Sequence, residues 1–214
     1  MNLETILYKD YEAYLPQEGR CILGQMTNAE NLVVYQAFNP SIAKYAVANQ
    51  QFGGSQYSFN RMSWIKPNFL WMMYRAGWAS KSNQECILAV EIAKANFEKI
   101  LAKAVHSSFK SEVYASKADW QAQLKASEVV MQWDPDHHPN GNKLKRRAIQ
   151  LGLRNSLLRQ FGTDWVVSIQ DITEFVHEQG QKLTQGKLDE LLVLKEQVIE
   201  IEDGDIRESL SLDH

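Results

Sequence analysis

Three tryptophans, Trp64, Trp71 and Trp78, recur every seven residues in the segment RMSWIKPNFLWMMYRAGW, residues 61–78. Three cations, Arg61, Lys66 and Arg75, share that segment with no acid among them. Indoles stack on flat rings, and guanidinium groups grip phosphates through paired hydrogen bonds. A ligand that is part ring and part phosphate, such as a nucleotide, fits this composition. Lys66-Pro67 opens a predicted helix, and a helix N-terminus presents unpaired N–H groups to an anion. Trp71 and Trp78 are expected on one face of that helix, with Arg75 one turn after Trp71. The competing reading is an aromatic core helix with surface cations, because apolar residues at helical spacing usually pack inward.

A second cluster is Gln132-Trp133-Asp134-Pro135, followed by Asp136, His137 and His138. A strand that ends in Asp-Pro places a carboxylate at a sheet edge, where ligands often sit. Two acids and two histidines suggest a metal. Adjacent strand side chains point to opposite faces, however, and Pro139 with Asn140-Gly141 marks an exposed turn. No metal site is therefore assigned. A third cluster is the basic run Lys143, Lys145, Arg146, Arg147, Arg154 and Arg159, with Gln150 inside it and no acid between positions 142 and 163. It is suited to phosphate contacts. A solvated face balanced by the acidic C-terminus suits it as well. Interleaved aromatics are missing, which weakens a single-strand-binding reading. The chain has no P-loop, GxGxxG, GxSxG or HExxH motif, which argues against the enzyme classes that use them.

The elements that must position these residues are legible in outline. NLVVYQAF (residues 31–38) and CILAVEI (86–92) read as buried strands, and residues 59–65, 128–133 and 165–172 as further strands. Asn39-Pro40 starts a helix over residues 40–49. Helices are also expected over 67–77, 93–104, 173–179 and 187–197, and the run at 143–153 is either strand or helix. The fold class is α+β: one domain with a mixed, mostly antiparallel sheet flanked by helices. Residues 1–30 are expected to form an N-terminal arm or short helix, 31–175 the core, and 176–214 a helical segment with a frayed acidic tail.

The chain has 214 residues and is 44% hydrophobic, enough to bury roughly 70% of its unfolded surface. The net charge of −3 gives no whole-molecule attraction to nucleic acid or anionic membrane. No signal peptide or membrane span is read, so a cytoplasmic location is expected, with Cys21 and Cys86 as free thiols.

VYQAFNPSIAKYAV, RMSWIKPNFLWMMYRAGW, NQECILAVEI, QWDPD and RAIQLGL, in that order, resemble an uncharacterised family of bacterial and fungal proteins, domain of unknown function 4291. The resemblance covers about residues 20 to 175 and implies a family but no activity. The Asp-Pro turn departs from the usual family form, with Asp136 and His137 where an acid and an arginine are expected. A more distant resemblance, to ADP-ribosyltransferase folds, lies in the order of strands and helices. It implies NAD as cofactor, Gln36 or Tyr35 on the first strand, Ser63 on the second, and Glu85 or Glu91 as the third catalytic group. Arg61 or Arg75 would then hold the pyrophosphate, with a tryptophan stacked on a ring. Independently of that resemblance, the expected ligand-binding residues are Tyr35, Arg61, Trp64, Lys66, Trp71, Arg75, Trp78, Gln132, Asp134, Arg147 and Gln150. The alternatives are a nucleic-acid-binding protein using the cations of 61–75 and 143–159, and an interaction module with the tryptophans buried.

Overall fold

The computed structural model describes residues 1–213. Residues 1–30 hold β1 (Thr5–Leu7), α1 (Tyr8–Tyr14), β2 (Glu18–Arg20) and β3 (Leu23–Gly24). Next come β4 (Asn31–Phe38), α2 (Pro40–Asn49), β5 (Ser63–Ile65) and α3 (Phe69–Ala76). The middle of the chain forms β6 (Cys86–Ala93), α4 (Lys94–Ala102), β7 (Ala104–His106), α5 (Lys117–Ala126), β8 (Val129–His137) and β9 (Lys143–Leu153). The remainder is α6 (Asn155–Thr163), β10 (Val166–Asp171), α7 (Thr173–Thr184), a single 3-10 turn, β11 (Leu192–Leu194), β12 (Gln197–Val198) and α8 (Gly204–Leu210).

Two sheets frame the molecule. One is antiparallel, in the order β10-β6-β4; the other runs β2-β9-β8-β7, with β5 also paired to β9. In the second sheet β8 and β9 are antiparallel, while β2 and β7 lie parallel to their neighbours. A main-chain bridge connects the two: Tyr35 N–H donates to the Lys66 carbonyl (2.7 Å) and Lys66 N–H to the Tyr35 carbonyl (3.1 Å). This is the α+β architecture expected, with a mixed and mostly antiparallel arrangement.

β4 and β6 read as continuous apolar runs because both of their faces are covered. Leu32, Val34, Leu88 and Val90 join one core cluster with Ile149, Leu151 and Phe161. Val33, Tyr35, Ile87 and Ala89 face a second cluster with Tyr11, Phe69, Met73 and Val176. Each fully buried side chain of this size contributes about 1.5–3 kcal/mol, so the two strands anchor everything attached to them.

Several expectations change. Residues 187–197 are not a helix. Leu192, Val193 and Leu194 pair with β1, and burial of Val193 and Leu194 outweighs helical propensity. Of residues 59–65, only the last three are strand. The ambiguous 143–153 run is the longest strand. β8 continues through Asp134-Pro135 to His137 instead of stopping there. Pro135 is tolerated because β7 ends opposite Met131, so the missing N–H falls on an open edge. Residues 1–30, expected as an arm or short helix, hold the short helix α1, with Tyr11 and Leu15 buried and β2 on β9. The C-terminal stretch also packs: Asp203 caps α8, and Ile206 and Leu210 are buried. Among the described residues, no helix is long and apolar enough to cross a membrane.

Candidate functional site

A cleft of about 660 Å³ opens where the two sheets meet. The end of β4 supplies Gln36, Ala37 and Phe38; the segment through β5 supplies Arg61, Met62, Ser63, Trp64 and Lys66. Trp71, Met72 and Arg75 come from α3, Gln84 from the loop before β6, and Gln132, Asp134 and Gln150 from β8 and β9. Antiparallel pairing sets Gln132 directly opposite Gln150, so both amides project from one face, and Asp134 follows two residues on.

Asp134 is the sole carboxylate among these lining residues. Gln132 Nε2 donates to its Oδ1 at 2.8 Å and Gln150 Nε2 to its Oδ2 at 2.7 Å. The carboxylate is thus oriented by two amides while its remaining lone pairs stay available. Gln36, 1% exposed, donates through Nε2 to Ser63 Oγ at 2.8 Å, and its Oε1 is buried without a partner. Arg61, Lys66 and Arg75 form no ion pair among the described residues. Lys66 is 6% exposed; burial, with the nearby Arg75 charge, brings its ammonium down to about 8, partly offset by Asp134. Three cations against one carboxylate leave the cleft with surplus positive charge.

The structure thus brings together Gln36, Arg61, Ser63, Trp64, Lys66, Trp71, Arg75, Gln132, Asp134 and Gln150. It places five other candidates elsewhere. Tyr35 is buried against Phe69 and touches the site only through its main-chain bridge to Lys66. Trp78 lies past the end of α3: Gly77 takes the left-handed conformation, as does Trp78 itself (φ 54°). Its indole N–H donates to the Pro139 carbonyl, which ties α3 to the β8–β9 turn. Glu85 is outside the cleft lining and accepts the Asn83 N–H. Glu91 is held by Thr27 and Ser168. Arg147 donates to the Trp133 carbonyl and lines a separate groove with Arg20, Lys110 and Lys145.

Two further readings are corrected. The N-terminus of α3 is not open to an external anion. Asn68 caps the Trp71 N–H (2.6 Å), and Glu196, from the link between β11 and β12, accepts the Phe69 N–H (2.6 Å). The acceptor there is the protein's own carboxyl group. Trp71 is not a free stacking surface either, since it lies against Tyr74 and His137, whose rings stack 3.6 Å apart. Trp64, half-buried, is the indole left for a ligand ring. His137 is buried in this stack with neither ring nitrogen partnered. The basic run is divided: Arg146 is buried, Arg154 donates to the carbonyls of Leu124 and Ser127, and Arg159 lies over Phe59.

Sequence reasoning missed Met62, Met72, Gln84 and Gly152. Gly152 sits opposite Trp64 in the β5–β9 pairing. A Cβ added there would meet Met62 Sδ at 2.6 Å and Trp64 Cε2 at 3.0 Å. Gly152→Ala is expected to displace both side chains from the cleft wall and to lower unfolding free energy by about 1–3 kcal/mol in urea titrations. An unchanged midpoint would show that Met62 swings aside freely.

A family model described as domain of unknown function (DUF4291) matches residues 22–199. No curated protein matches the chain.

Proposed function

The chain belongs to the DUF4291 family, a membership that carries no reaction with it, and we propose from the chemistry of the cleft that it binds and acts on a phosphate-bearing nucleotide. One observation carries this reading: three cations that form no ion pair among the described residues converge on a pocket that also offers an indole and an oriented carboxylate. Arg61, Lys66 and Arg75 suit phosphate oxygens, and Trp64 suits a base or nicotinamide ring.

In its sharpest form the activity is NAD-dependent ADP-ribosyl transfer. The bond between the ribose and nicotinamide breaks, its electron pair leaves with nicotinamide, positive charge develops on the ribose, and an oxygen or nitrogen nucleophile of the acceptor forms the new bond to that carbon and gives up its proton. Asp134, rather than Glu85, is the carboxylate positioned to stabilise that charge, and the Gln36–Ser63 pair suits the ribose hydroxyls. Nucleic-acid binding would need the 143–159 cations on the same surface, and the division of that run favours the small-molecule reading. An interaction module without chemistry would leave the unpaired cations of the cleft unexplained.

The test is a thermal-shift screen of NAD, ADP-ribose, nucleoside triphosphates and short RNA, followed by titration calorimetry. Arg75→Ala is expected to weaken nucleotide affinity about ten- to a hundredfold, the loss of one charged hydrogen-bonding group. Because Arg75 is exposed and unpaired, the unliganded stability should move by less than about 0.5 kcal/mol. Equal affinity in wild type and variant would overturn the reading. RNA binding with steep salt dependence would favour the nucleic-acid alternative.

A further inference from the structure

We propose that Lys66 is a nucleophilic amine that captures a phosphate-bearing aldehyde or aldose as an imine within the cleft. This rests on the reading of the cleft as a phosphate site and adds a reaction to it.

The geometry around Lys66 is unusual for a lysine. It is nearly buried, yet it lines the cleft. Among the described residues, no carboxylate lies within ion-pair distance of its Nζ. Buried lysines are ordinarily paired, because an isolated ammonium is costly to desolvate. The charged neighbour from α3 is a like charge, Arg75, and the carboxylate from β8 that faces it, Asp134, is tied to two glutamine amides. The main chain of Lys66 is fixed by its double bridge to Tyr35, so the root of the side chain does not wander. A lysine desolvated beside another cation is the arrangement that activates an amine for carbonyl chemistry.

Protonation favours the same role. With its ammonium brought down to about 8, roughly a tenth of Lys66 is free amine at pH 7, against fewer than about one in a thousand for an ordinary lysine. The amine lone pair would add to the carbonyl carbon, and one of the two nitrogen protons would pass to the carbonyl oxygen. The carbinolamine then loses its hydroxyl as water, with a second proton delivered to that oxygen and the nitrogen proton released. The products are an imine and water, and no oxidant or reductant is required. Asp134 is the lining group able to relay those protons. Arg61 and Arg75 would hold the phosphate end, so the fitting substrates are ring-opened pentose phosphates and the reducing ribose of ADP-ribose.

The test is reductive trapping. The whole protein is incubated with ribose 5-phosphate and sodium borohydride, and the adduct is located by peptide mass mapping between pH 6 and pH 9. A parallel series uses glycolaldehyde, which has no phosphate, and thermal shift is recorded with ribose 5-phosphate alone. The expected result is one dominant adduct at Lys66, forming at pH 7 about a hundredfold faster than at other lysines, and absent in Lys66→Arg. Mapping on the wild type keeps the test valid if that variant folds poorly. Label spread over surface lysines, or a thermal shift with no adduct at Lys66, would overturn the imine and leave the phosphate reading standing. Equal trapping of glycolaldehyde at Lys66 would uphold the amine and count against the phosphate site. Neither adduct nor shift would sink both.

Discussion

Arg146→Met is expected to lower the unfolding free energy at pH 7 by about 3–5 kcal/mol, the usual effect of breaking a buried ion pair from one side. Arg146 is fully buried. Its Nε donates to Asp136 Oδ2 at 2.8 Å, and its two terminal nitrogens reach Glu12 and the Pro16 carbonyl. Removing the guanidinium strands Asp136, which is also fully buried and whose carboxyl is already held above the usual range by burial despite Arg146. In the variant that carboxyl should rise further, so the deficit should shrink as pH falls and Asp136 is protonated. Urea denaturation at pH 7 and pH 5 reads both effects. Arg146→Met with Asp136→Asn should recover part of the loss, because the stranded charge is gone. A deficit below about 1 kcal/mol would mean that water reaches the pair. The network also bears on the cleft: Asp136 lies two residues past Asp134, at the irregularity between Pro135 and His137.

Glu196 supplies the second large effect. It is 1% exposed and receives the Tyr11 hydroxyl at 2.7 Å and the Phe69 N–H. Burial lifts its carboxyl from about 4.5 to about 8, although the two donors oppose the rise. The folded state therefore keeps a proton that the unfolded chain gives up. That contribution is fully present below about pH 4.5 and is lost as pH rises to about 8, at up to about 1.4 kcal/mol per unit. Glu196→Gln removes the titration. Relative to wild type, the variant should gain several kcal/mol between pH 5 and pH 8. Parallel stability curves for the two proteins would refute the raised carboxyl.

The parts of the fold legible from sequence were those whose local chemistry is decisive. β4 and β6 are unbroken apolar runs between turn residues, and Asn39-Pro40 carries its own helix-start geometry. The central cleft residues were legible because cations without acids beside tryptophans are an uncommon composition. Trp78 misled, because its seven-residue spacing put it on one face with Trp71, whereas the chain turns left-handed at both Gly77 and Trp78. Glu85 was carried over from a fold resemblance, whereas the carboxylate that lines the cleft comes from a strand paired across the sheet. Asp134-Pro135 read as a turn because the open edge that tolerates the proline exists only once β7 has stopped short. The Glu196 cap on α3 was invisible because its partners lie more than a hundred residues away. No local pattern encodes such a meeting.

That cap has a consequence for the order in which the protein is made. α3 carries Trp71 and Arg75 to the cleft, but its first turn is completed by a residue synthesised 127 positions after Phe69. β1 likewise waits for β11, Thr5 pairing with Leu194. The nascent chain can therefore assemble β4, β6, β8 and β9 early while the wall that bears Arg75 stays unsettled until its last fifth emerges. Contacts this distant in sequence make for slow closure. A ribosome-bound intermediate should hold a folded scaffold with an unfinished binding face.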